Sequence, residues 1–293
     1  MSASSDSVST GPEPAPRDFT FKAADGMLLQ ASAWLAADTP RSAVALVHGY
    51  AEYIGRYAHV ADFLAKRGHA VYGYDQRGHG RSPGRRAYVH AFKDYVDDLA
   101  VFLDRVREEE PGRPLFLLGH SMGGAVSAQY ALREDAALDG LILSSAALDL
   151  PTPPALQVLA WLLGRLVPTL PTVKLDRRLI SHDAAVIARA DVDPLYYRGG
   201  IPARTAAELF DAARHLRQHL EHLTLPLFLL HGTADGITRP NGSQACYARA
   251  RSTDKTLALY PGLYHETFNE PEKARVLKEV AEWLDEHLPG GTV

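Results

Sequence analysis

A serine flanked by glycines is the strongest chemical signal in the sequence. Gly119-His-Ser121-Met-Gly123 matches the nucleophile-elbow pattern Gly-x-Ser-x-Gly, and it lies between the apolar run Leu115–Leu118 and a helix predicted over Met122–Arg133. A serine on such a strand-to-helix turn has a strained backbone, and only very small residues two positions away let the strand and the helix approach each other. The pattern predicts that Ser121 is a nucleophile. The alternative is a glycine-rich turn with an idle serine.

A nucleophilic serine needs a base, and the base needs a group that orients it. Behind an elbow of this kind, the acid and then the histidine follow in chain order, each on a loop after a later strand. The apolar run Leu227–Leu230 leads into Asp235, and Thr256–Tyr260 leads into His265. We therefore predict Asp235 as the acid and His265 as the base.

An oxyanion formed at Ser121 would need two backbone N–H donors. Met122, directly after the nucleophile, is predicted to supply one of them. Tyr50, in the glycine-bearing loop after a strand predicted over Ala43–Val47, is predicted to supply the other. The alternative for this loop is a plain turn that ends the strand.

The other histidines are given structural roles, although the chain contains 13 in all. His120 is expected to point away from the site if Ser121 points in. Structural hydrogen bonds are expected for three histidines in glycine-bearing turns: His48, His79 and His231. Three more have the spacing of a metal cluster, but a solvated helix face explains them better, and no metal is expected: His215, His219 and His222.

Short apolar runs alternate with helical patterns along the chain. Strands are predicted over Asp18–Lys22, Met27–Leu35, Ala43–Val47, Ala70–Tyr74, Leu115–Leu118, Gly140–Ser144, Leu227–Leu230 and Thr256–Tyr260. Helices are predicted over Arg56–Arg67, Ala91–Glu109, Met122–Arg133, Ser243–Ala250 and Glu272–His287. This alternation predicts an α/β fold with a mostly parallel sheet covered by helices on both faces. The first two strands, joined by Asp25-Gly26, should form an antiparallel hairpin at one edge.

The chain divides into a leader, a core and an insertion. Residues 1–17 are rich in Ser, Pro and Gly without an apolar run, so a disordered leader is expected rather than a signal peptide. The core is predicted over 18–149 and 206–293. Residues 150–205 interrupt the alternation and are expected to form a helical cap at the ends of the strands, where ligands bind in such sheets.

The cap contains an unusually apolar helix, Ala155–Val167. A cap helix on a globular core needs only one apolar face. One face is therefore expected to line an acyl tunnel and another to meet lipid, with Leu159 and Trp161 as candidate substrate-binding residues. The alternative is that neighbouring cap segments bury the remaining apolar side chains.

Composition excludes several classes of protein. The 293 residues carry a net charge of −4 and no basic block, which argues against nucleic-acid binding. The single cysteine, Cys246, cannot form an intrachain disulfide, and we expect it to be a packing residue. No run of 18 apolar residues is present, so no membrane span is expected. We expect a cytoplasmic protein that contacts membrane surfaces transiently through its cap.

Five motifs resemble one branch of the α/β hydrolases, the monoacylglycerol lipase and lysophospholipase-like branch. They are His48–Tyr57, Asp75–Ser82, Gly119–Gly124, Asp193–Leu195 and Asp254–Thr256, and the resemblance extends from about Phe19 to Leu288. It implies an α/β-hydrolase fold and a monoester substrate with one fatty acyl chain. It also implies that Glu52 and Arg56 form a polar, substrate-binding pair near the oxyanion loop, and that Asp75–Ser82 is a structural turn.

The sequence departs from the mammalian members of that branch at three positions. Ala190, Phe268 and Thr238 stand where those relatives carry a tyrosine near the glycerol, a second histidine and a reactive cysteine. Contacts to the alcohol are therefore expected to be fewer, or to be supplied by Tyr196 or Tyr197.

Together these features predict a serine hydrolase that cleaves lipid-like monoesters, of monoacylglycerol or lysophospholipid type, through an acyl-enzyme on Ser121, without a cofactor. The alternatives on the same fold are a short-chain carboxylesterase, a carbon–carbon bond hydrolase, a cofactor-free peroxidase and an aminopeptidase. A binding module that has lost its chemistry is a further alternative.

Overall fold

The computed structural model describes residues 16–133 and 136–289. Eight strands form one sheet: β1 Arg17–Lys22, β2 Leu28–Trp34, β3 Ser42–Val47, β4 His69–Tyr74, β5 Leu115–His120, β6 Gly140–Ser144, β7 Leu227–Gly232 and β8 Lys255–Tyr260. The helices are α1 Ala58–Ala65, α2 Phe92–Glu109, α3 Met122–Ala131, α4 Pro154–Leu166, α5 Ala184–Val192, α6 Ala203–Gln218, α7 Pro240–Arg249 and α8 Lys273–Glu286.

The sheet has the strand order β1-β2-β4-β3-β5-β6-β7-β8. The pairs β1–β2 and β2–β4 are antiparallel, and all later pairs are parallel. The predicted mostly parallel sheet with an antiparallel edge is therefore confirmed. Because the parallel strands run the same way, the loops after β3, β5, β7 and β8 all emerge at one edge of the sheet.

Two apolar layers cover the two faces of the sheet, because successive side chains of a strand point to opposite sides. In β3, Val44 and Leu46 pack with α1 and α8, whereas Ala43, Ala45 and Val47 belong to the layer that contains α2 and α3. Both faces of these strands are buried, which explains why the sequence shows continuous apolar runs rather than alternation.

Element boundaries differ from the sequence predictions at several points. The chain from Ile54 to Tyr57 is a 3-10 turn, so the first α-helix begins only at Ala58. β1 begins at Arg17, which pairs with Ala33, so the last residue of the predicted leader is part of the sheet. Residues 1–15 of that leader lie outside the described residues.

The turn after β4 is held by the Asp75 carboxylate. Its oxygens accept hydrogen bonds from the backbone N–H groups of Ile54 (2.8 Å) and Arg81 (2.7 Å). The Ser82 hydroxyl donates to the Asp75 carbonyl and accepts from the Gln30 N–H. All of these contacts are internal to the fold, as a structural turn requires.

The segment from 150 to 205 contributes α4 and α5 and lies over the edge where the loops after β5 and β8 emerge. α4 packs closely on α6, because Gly164 lets it approach: a Cβ at this position would lie 3.1 Å from the Ala203 carbonyl oxygen. The predicted end of the cap, residue 205, falls inside α6. Within the part of the chain that the structure describes, no helix is both long and apolar enough to cross a membrane.

Candidate active site

Ser121 occupies a strained turn between β5 and α3. Its backbone has φ 53° and ψ −119°, a positive φ that costs free energy for any residue with a side chain. A Cβ at Gly119 would lie 2.5 Å from the Gly123 carbonyl oxygen. A Cβ at Gly123 would lie 2.3 Å from the carbonyl oxygens of Val47 and His48. Neither glycine position can accept a side chain, as the steric interpretation of the motif requires.

A chain of hydrogen bonds joins the three predicted catalytic side chains. The Ser121 Oγ lies 2.8 Å from His265 Nε2, and His265 Nδ1 lies 2.7 Å from Asp235 Oδ2. All three residues are buried. The loops after β5, β7 and β8 thus bring together residues up to 144 positions apart in the order serine, base and acid.

The surroundings set the charges of the base and the acid. Burial alone would lower the pKa of His265, but the charge of Asp235 and its hydrogen bond raise this pKa above the ordinary value. Burial alone would raise the pKa of Asp235, but the nearby imidazoles of His265 and His231 hold it well below its usual range. Asp235 is therefore ionised and stabilises a proton on His265.

The two predicted oxyanion donors lie beside Ser121. Tyr50 and Met122 both line the same cavity as Ser121, and a Cβ at Gly49 would lie 3.1 Å from the Ser121 Cβ. Among the described residues, neither the Tyr50 nor the Met122 backbone N–H donates a hydrogen bond to another protein group. Both donors are thus available to a substrate oxygen.

A buried ion-pair network joins the oxyanion loop to the histidine loop. Arg56 donates to Glu52 (2.6 Å) and, through two nitrogens, to both oxygens of Glu266 (2.7 Å each). Glu52 in turn accepts a hydrogen bond from the Gly49 backbone N–H at 2.6 Å. The structure thus places the Glu52–Arg56 pair near the oxyanion loop.

Of the predicted substrate-binding pair Glu52 and Arg56, only Glu52 lines the cavity. Glu52 and Glu266 line the cavity, but Arg56 does not, because both its terminal nitrogens are engaged by these two carboxylates. Arg56 also stacks over the Tyr196 ring, 5.1 Å from its centroid. Arg56 therefore supports the wall of the cavity from behind.

His120 does not point away from the site as the sequence predicts. Its ring lies 4.7 Å from the His265 ring, it lines the cavity, and its Nδ1 lies 3.2 Å from the Ser144 Oγ. The left-handed backbone of Ser121 ends the alternation of the strand, so neighbouring side chains are not forced to opposite sides. Burial first, and then the His265 charge, lower the pKa of His120, which keeps it neutral.

Two other histidines of the glycine-bearing turns make structural hydrogen bonds, as predicted. His48 Nδ1 lies 2.7 Å from the Gly49 carbonyl, and its Nε2 accepts from the Gln76 N–H. His79 Nδ1 lies 3.0 Å from the Arg77 carbonyl. For the described residues, no group of three or more His, Cys, Asp or Glu side chains is arranged to hold a metal ion.

A cavity of about 560 Å³ opens above the triad, a volume typical of sites for small molecules. Its polar lining includes Ser121 and His265 of the triad, the oxyanion loop, Glu52 and Glu266. Its walls elsewhere are mainly apolar and come from the cap and α6, including Leu156, Leu159, Leu163, Leu209 and Phe210. The structure thus places Leu159 in the cavity wall.

Trp161, the other predicted substrate-binding residue of the cap, does not line this cavity. The Arg165 guanidinium stacks over its ring at 3.8 Å, and 38% of the residue is exposed. Leu156, Leu159 and Leu163 occupy the inner stripe of α4, and Trp161 falls on another face of the helix. The same helix therefore has an apolar inner face and an apolar outer face.

The positions that depart from the mammalian relatives are filled by buried side chains. Ala190 and Phe268 are buried in apolar clusters, and the Thr238 hydroxyl lies 2.8 Å from Asp235 Oδ2. Tyr196 lines the cavity, whereas Tyr197 does not, and the Tyr197 hydroxyl donates to the Gly200 carbonyl.

Cys246 is buried, and burial raises the pKa of its thiol to about 12, as suits a packing residue.

The chain is similar to known proteins in sequence and in structure. A family model described as "Serine aminopeptidase, S33" matches residues 38–272. A monoacylglycerol lipase of Mycolicibacterium smegmatis is 36% identical over 92% of this chain and 98% of its own length. A monoglyceride lipase of Mus musculus is 33% identical over 90% of this chain and 89% of its own length.

Solved structures match over nearly the whole chain. The monoacylglycerol lipase of Paleococcus ferrophilus has a TM-score of 0.80 and 33% identity, and the match covers 88% of this chain and 99% of that one. A soluble variant of monoglyceride lipase from Saccharomyces cerevisiae, in complex with a substrate analogue, has a TM-score of 0.86 and 28% identity. That match covers 95% of this chain and 97% of the yeast chain.

Proposed function

The chain belongs to the family described as serine aminopeptidase, S33, and we propose that it is a serine carboxylic-ester hydrolase acting on monoesters of the monoacylglycerol type. The observation that carries this proposal is the hydrogen-bonded series Ser121–His265–Asp235 at the floor of a largely apolar cavity. The lipase names of the relatives that match almost end to end support it. The mixed polar and apolar lining suits an ester with one fatty chain.

The reaction follows from the geometry of the site. His265 removes the Ser121 proton as the hydroxyl attacks the ester carbonyl, and Asp235 stabilises the resulting imidazolium. The N–H groups of Tyr50 and Met122 hold the oxyanion. The alcohol leaves with the proton from His265, and water, activated by the same imidazole, then releases the fatty acid from Ser121. The proton taken from Ser121 thus leaves with the alcohol, and the hydrolytic water supplies the proton that restores the Ser121 hydroxyl.

The alcohol end of the cavity carries negative charge. Glu52 and Glu266 both line it, and Arg56 compensates only one of these two charges. Carboxylate oxygens accept hydrogen bonds from alcohol hydroxyls but repel a phosphate. Lys174 and Asp176 also line the cavity, and their charges are opposite. We therefore favour a neutral alcohol, such as glycerol, over a phosphorylated one.

A panel of matched substrates tests this assignment. One net charge at about 8 Å costs about 2 kcal/mol at an effective dielectric constant near 20, which is about 30-fold. We expect 1-octanoylglycerol to have a kcat/KM higher by about that factor than 1-octanoylglycerol-3-phosphate, with both measured below their micelle concentrations. Amino-acid p-nitroanilides, which test for aminopeptidase activity, should not be hydrolysed. Equal rates for the two octanoyl esters would contradict the neutral-alcohol assignment.

The pH dependence of the enzyme should report the base. His265 must be neutral to accept the Ser121 proton, and its pKa is raised above the ordinary imidazole value of about 6.5. We therefore expect kcat/KM on a dissolved ester to fall as the pH drops, with the midpoint at or above about pH 6.5. A profile that stays flat down to about pH 4.5 would exclude an imidazole base.

The outer face of the cap suits transient contact with a lipid surface. Large apolar side chains of α4 that do not line the cavity are exposed there: Val158, Trp161, Leu162 and Leu166. Several exposed apolar side chains on one helix mark an interaction surface, and a tryptophan beside an arginine is typical of membrane interfaces. We propose that this face meets the lipid aggregate while the inner face receives the acyl chain.

Two substitutions on the same helix separate these roles. Leu159→Asp should lower kcat/KM on a twelve-carbon monoester by about 100-fold, because each buried CH2 contributes about 0.8 kcal/mol in an apolar wall. Turnover of p-nitrophenyl acetate should change by less than about twofold, since an acetyl group does not reach this wall. Trp161→Asp should spare both dissolved substrates but weaken binding to lipid vesicles by about tenfold.

The measurements are a chain-length series of kcat/KM and co-sedimentation with vesicles of neutral phospholipid. Circular dichroism confirms that each variant is folded. Equal losses on long and short esters for Leu159→Asp would mean that this side chain supports catalytic geometry rather than acyl binding. Unchanged vesicle binding by Trp161→Asp would contradict the lipid-facing role of the outer surface.

A further inference from the structure

The carboxylate of Asp235 is shared between two imidazoles. Besides His265 Nδ1 at 2.7 Å, its Oδ2 lies 3.1 Å from Nε2 of His231, a fully buried residue near the end of β7. The reaction described above makes no use of this second histidine. A role for His231 at this carboxylate rests on the proposed function in one respect, that Asp235 is the acid of the triad.

The hydrogen-bond partners of His231 fix which nitrogen carries its hydrogen. Asp235 is ionised, so the nitrogen that faces it must be the donor, and Nε2 therefore bears the hydrogen. Nδ1 is then an acceptor, and it lies 2.8 Å from the hydroxyl of Ser243, a buried residue of α7. Ser243 thus donates to His231, and the Nε2–H of His231 faces the Asp235 carboxylate.

The other donors leave a position at Asp235 that His231 fills. Oδ1 accepts from the backbone N–H groups of Ile237 (2.8 Å) and Thr238 (3.0 Å). The Thr238 hydroxyl lies 2.8 Å from Oδ2 but also 3.0 Å from the Ser145 carbonyl oxygen, and its single hydrogen can serve only one of them. His231 Nε2 also hydrogen-bonds the Thr238 carbonyl oxygen at 3.4 Å, so its hydrogen is shared between this oxygen and the closer Asp235 Oδ2.

We propose that His231 is a positioning residue, which holds the Asp235 carboxylate in the rotation that aims Oδ2 at His265. No proton is transferred to or from His231 during the reaction. Without this donor the Oδ2 side of the carboxylate depends on a shared threonine hydroxyl and on His265 itself. The imidazole would then lose its orientation toward Ser121, and small displacements of a catalytic group reduce rates strongly.

Paired substitutions test the donor separately from the ring. His231→Met removes the donor and replaces the ring by an apolar side chain of similar length. His231→Gln keeps an N–H near the position of Nε2. With 1-octanoylglycerol, we expect His231→Met to lower kcat by about 100-fold with KM changed by less than about threefold. His231→Gln should stay within about threefold of the wild type. His222→Met and His222→Gln, at an exposed histidine outside the cavity lining, are the matched controls and should leave kcat unchanged.

The pH profile supplies a readout that a packing role would not move. Loss of the His231 donor leaves more negative charge on Oδ2 for His265, so the midpoint of kcat/KM should rise by about half a pH unit in His231→Met. It should stay in place in His231→Gln. Melting temperatures show which variants are folded.

Three results would overturn the proposal. The first is a wild-type kcat and pH midpoint in folded His231→Met. The second is a folded His231→Gln as slow as His231→Met, which would mean that the ring itself matters. If His231→Met does not fold, Ser243→Ala takes its place, and we expect its kcat to fall by about threefold to tenfold. The third overturning result is an unchanged kcat in Ser243→Ala. A wild-type protein inactive on every ester would instead mark the failure of the proposed function.

Discussion

Replacing Ser121 or His265 by alanine is expected to lower kcat on any ester by about 10⁴-fold or more. Ser121 supplies the atom that forms the acyl-enzyme, and His265, at 2.8 Å, is the base hydrogen-bonded to that atom. Because the two side chains act as one unit, the double variant should be little slower than either single variant. Steady-state hydrolysis of p-nitrophenyl butyrate, with the three variants purified in parallel, measures this non-additivity.

The control for these variants is substrate binding. Removal of a hydroxyl or an imidazole leaves the apolar walls of the cavity intact, so KM, or the affinity for a non-hydrolysable ether analogue, should change little. If the fold loss in kcat of the double variant equalled the product of the two single losses, a shared role of the two side chains would be contradicted. Residual turnover near the wild-type rate in Ser121→Ala would remove the acyl-enzyme mechanism altogether.

Asp235→Asn should lower kcat by about 10⁴-fold, nearly as much as loss of the nucleophile. The carboxylate accepts a hydrogen bond from His265 Nδ1 at 2.7 Å, which leaves Nε2 free to accept the proton of Ser121. An asparagine amide can present an N–H there instead, which favours the wrong tautomer of the imidazole and stabilises no positive charge. Steady-state kinetics on the same ester measures the loss, and circular dichroism verifies the fold.

Near-normal turnover in Asp235→Asn would require a different acid. Two other aspartates, Asp149 and Asp211, would then be the candidates. In the structure Asp149 faces Arg217 at 3.5 Å, and Asp211 pairs with Arg214 on the surface. Neither residue has a described contact with His265, so the structure favours Asp235.

The triad could be predicted from the sequence because its requirements are local. The elbow needs Gly119 and Gly123 within two positions of Ser121, and the steric reason is visible in five consecutive letters. Asp235 and His265 each follow a short apolar strand, so their arrival at one edge of the sheet follows from parallel topology. The strand order itself places those loops side by side.

The second layer of the site could not be predicted, because its partners are far apart in sequence. Glu266 pairs with Arg56 across 210 positions, and no spacing rule connects them. His231 was recognisable as a buried turn histidine, but its contact with the acid depends on how the loop after β7 folds back. His120 was misplaced because strand alternation fails at the strained Ser121.

For the cap, the sequence predicts an apolar helix but not which of its faces points into the cavity. Its apolar character is evident in the letters of α4, but the helix is apolar on nearly every side, so periodicity could not tell inner from outer faces. Contact with α6 decides it: Ala160 and Gly164 are buried, which turns Leu159 toward the cavity and leaves Trp161 outside.

The most direct measurement is identification of the residue that becomes acylated or phosphonylated. A fluorophosphonate reacts with the activated serine of a hydrolase, and peptide mass spectrometry locates the adduct. We expect stoichiometric modification of Ser121 in the wild type, with hydrolysis of 1-octanoylglycerol lost in proportion to labelling, and no adduct in Ser121→Ala. Modification at another residue, or full hydrolysis of 1-octanoylglycerol after Ser121 is completely labelled, would contradict a mechanism through Ser121.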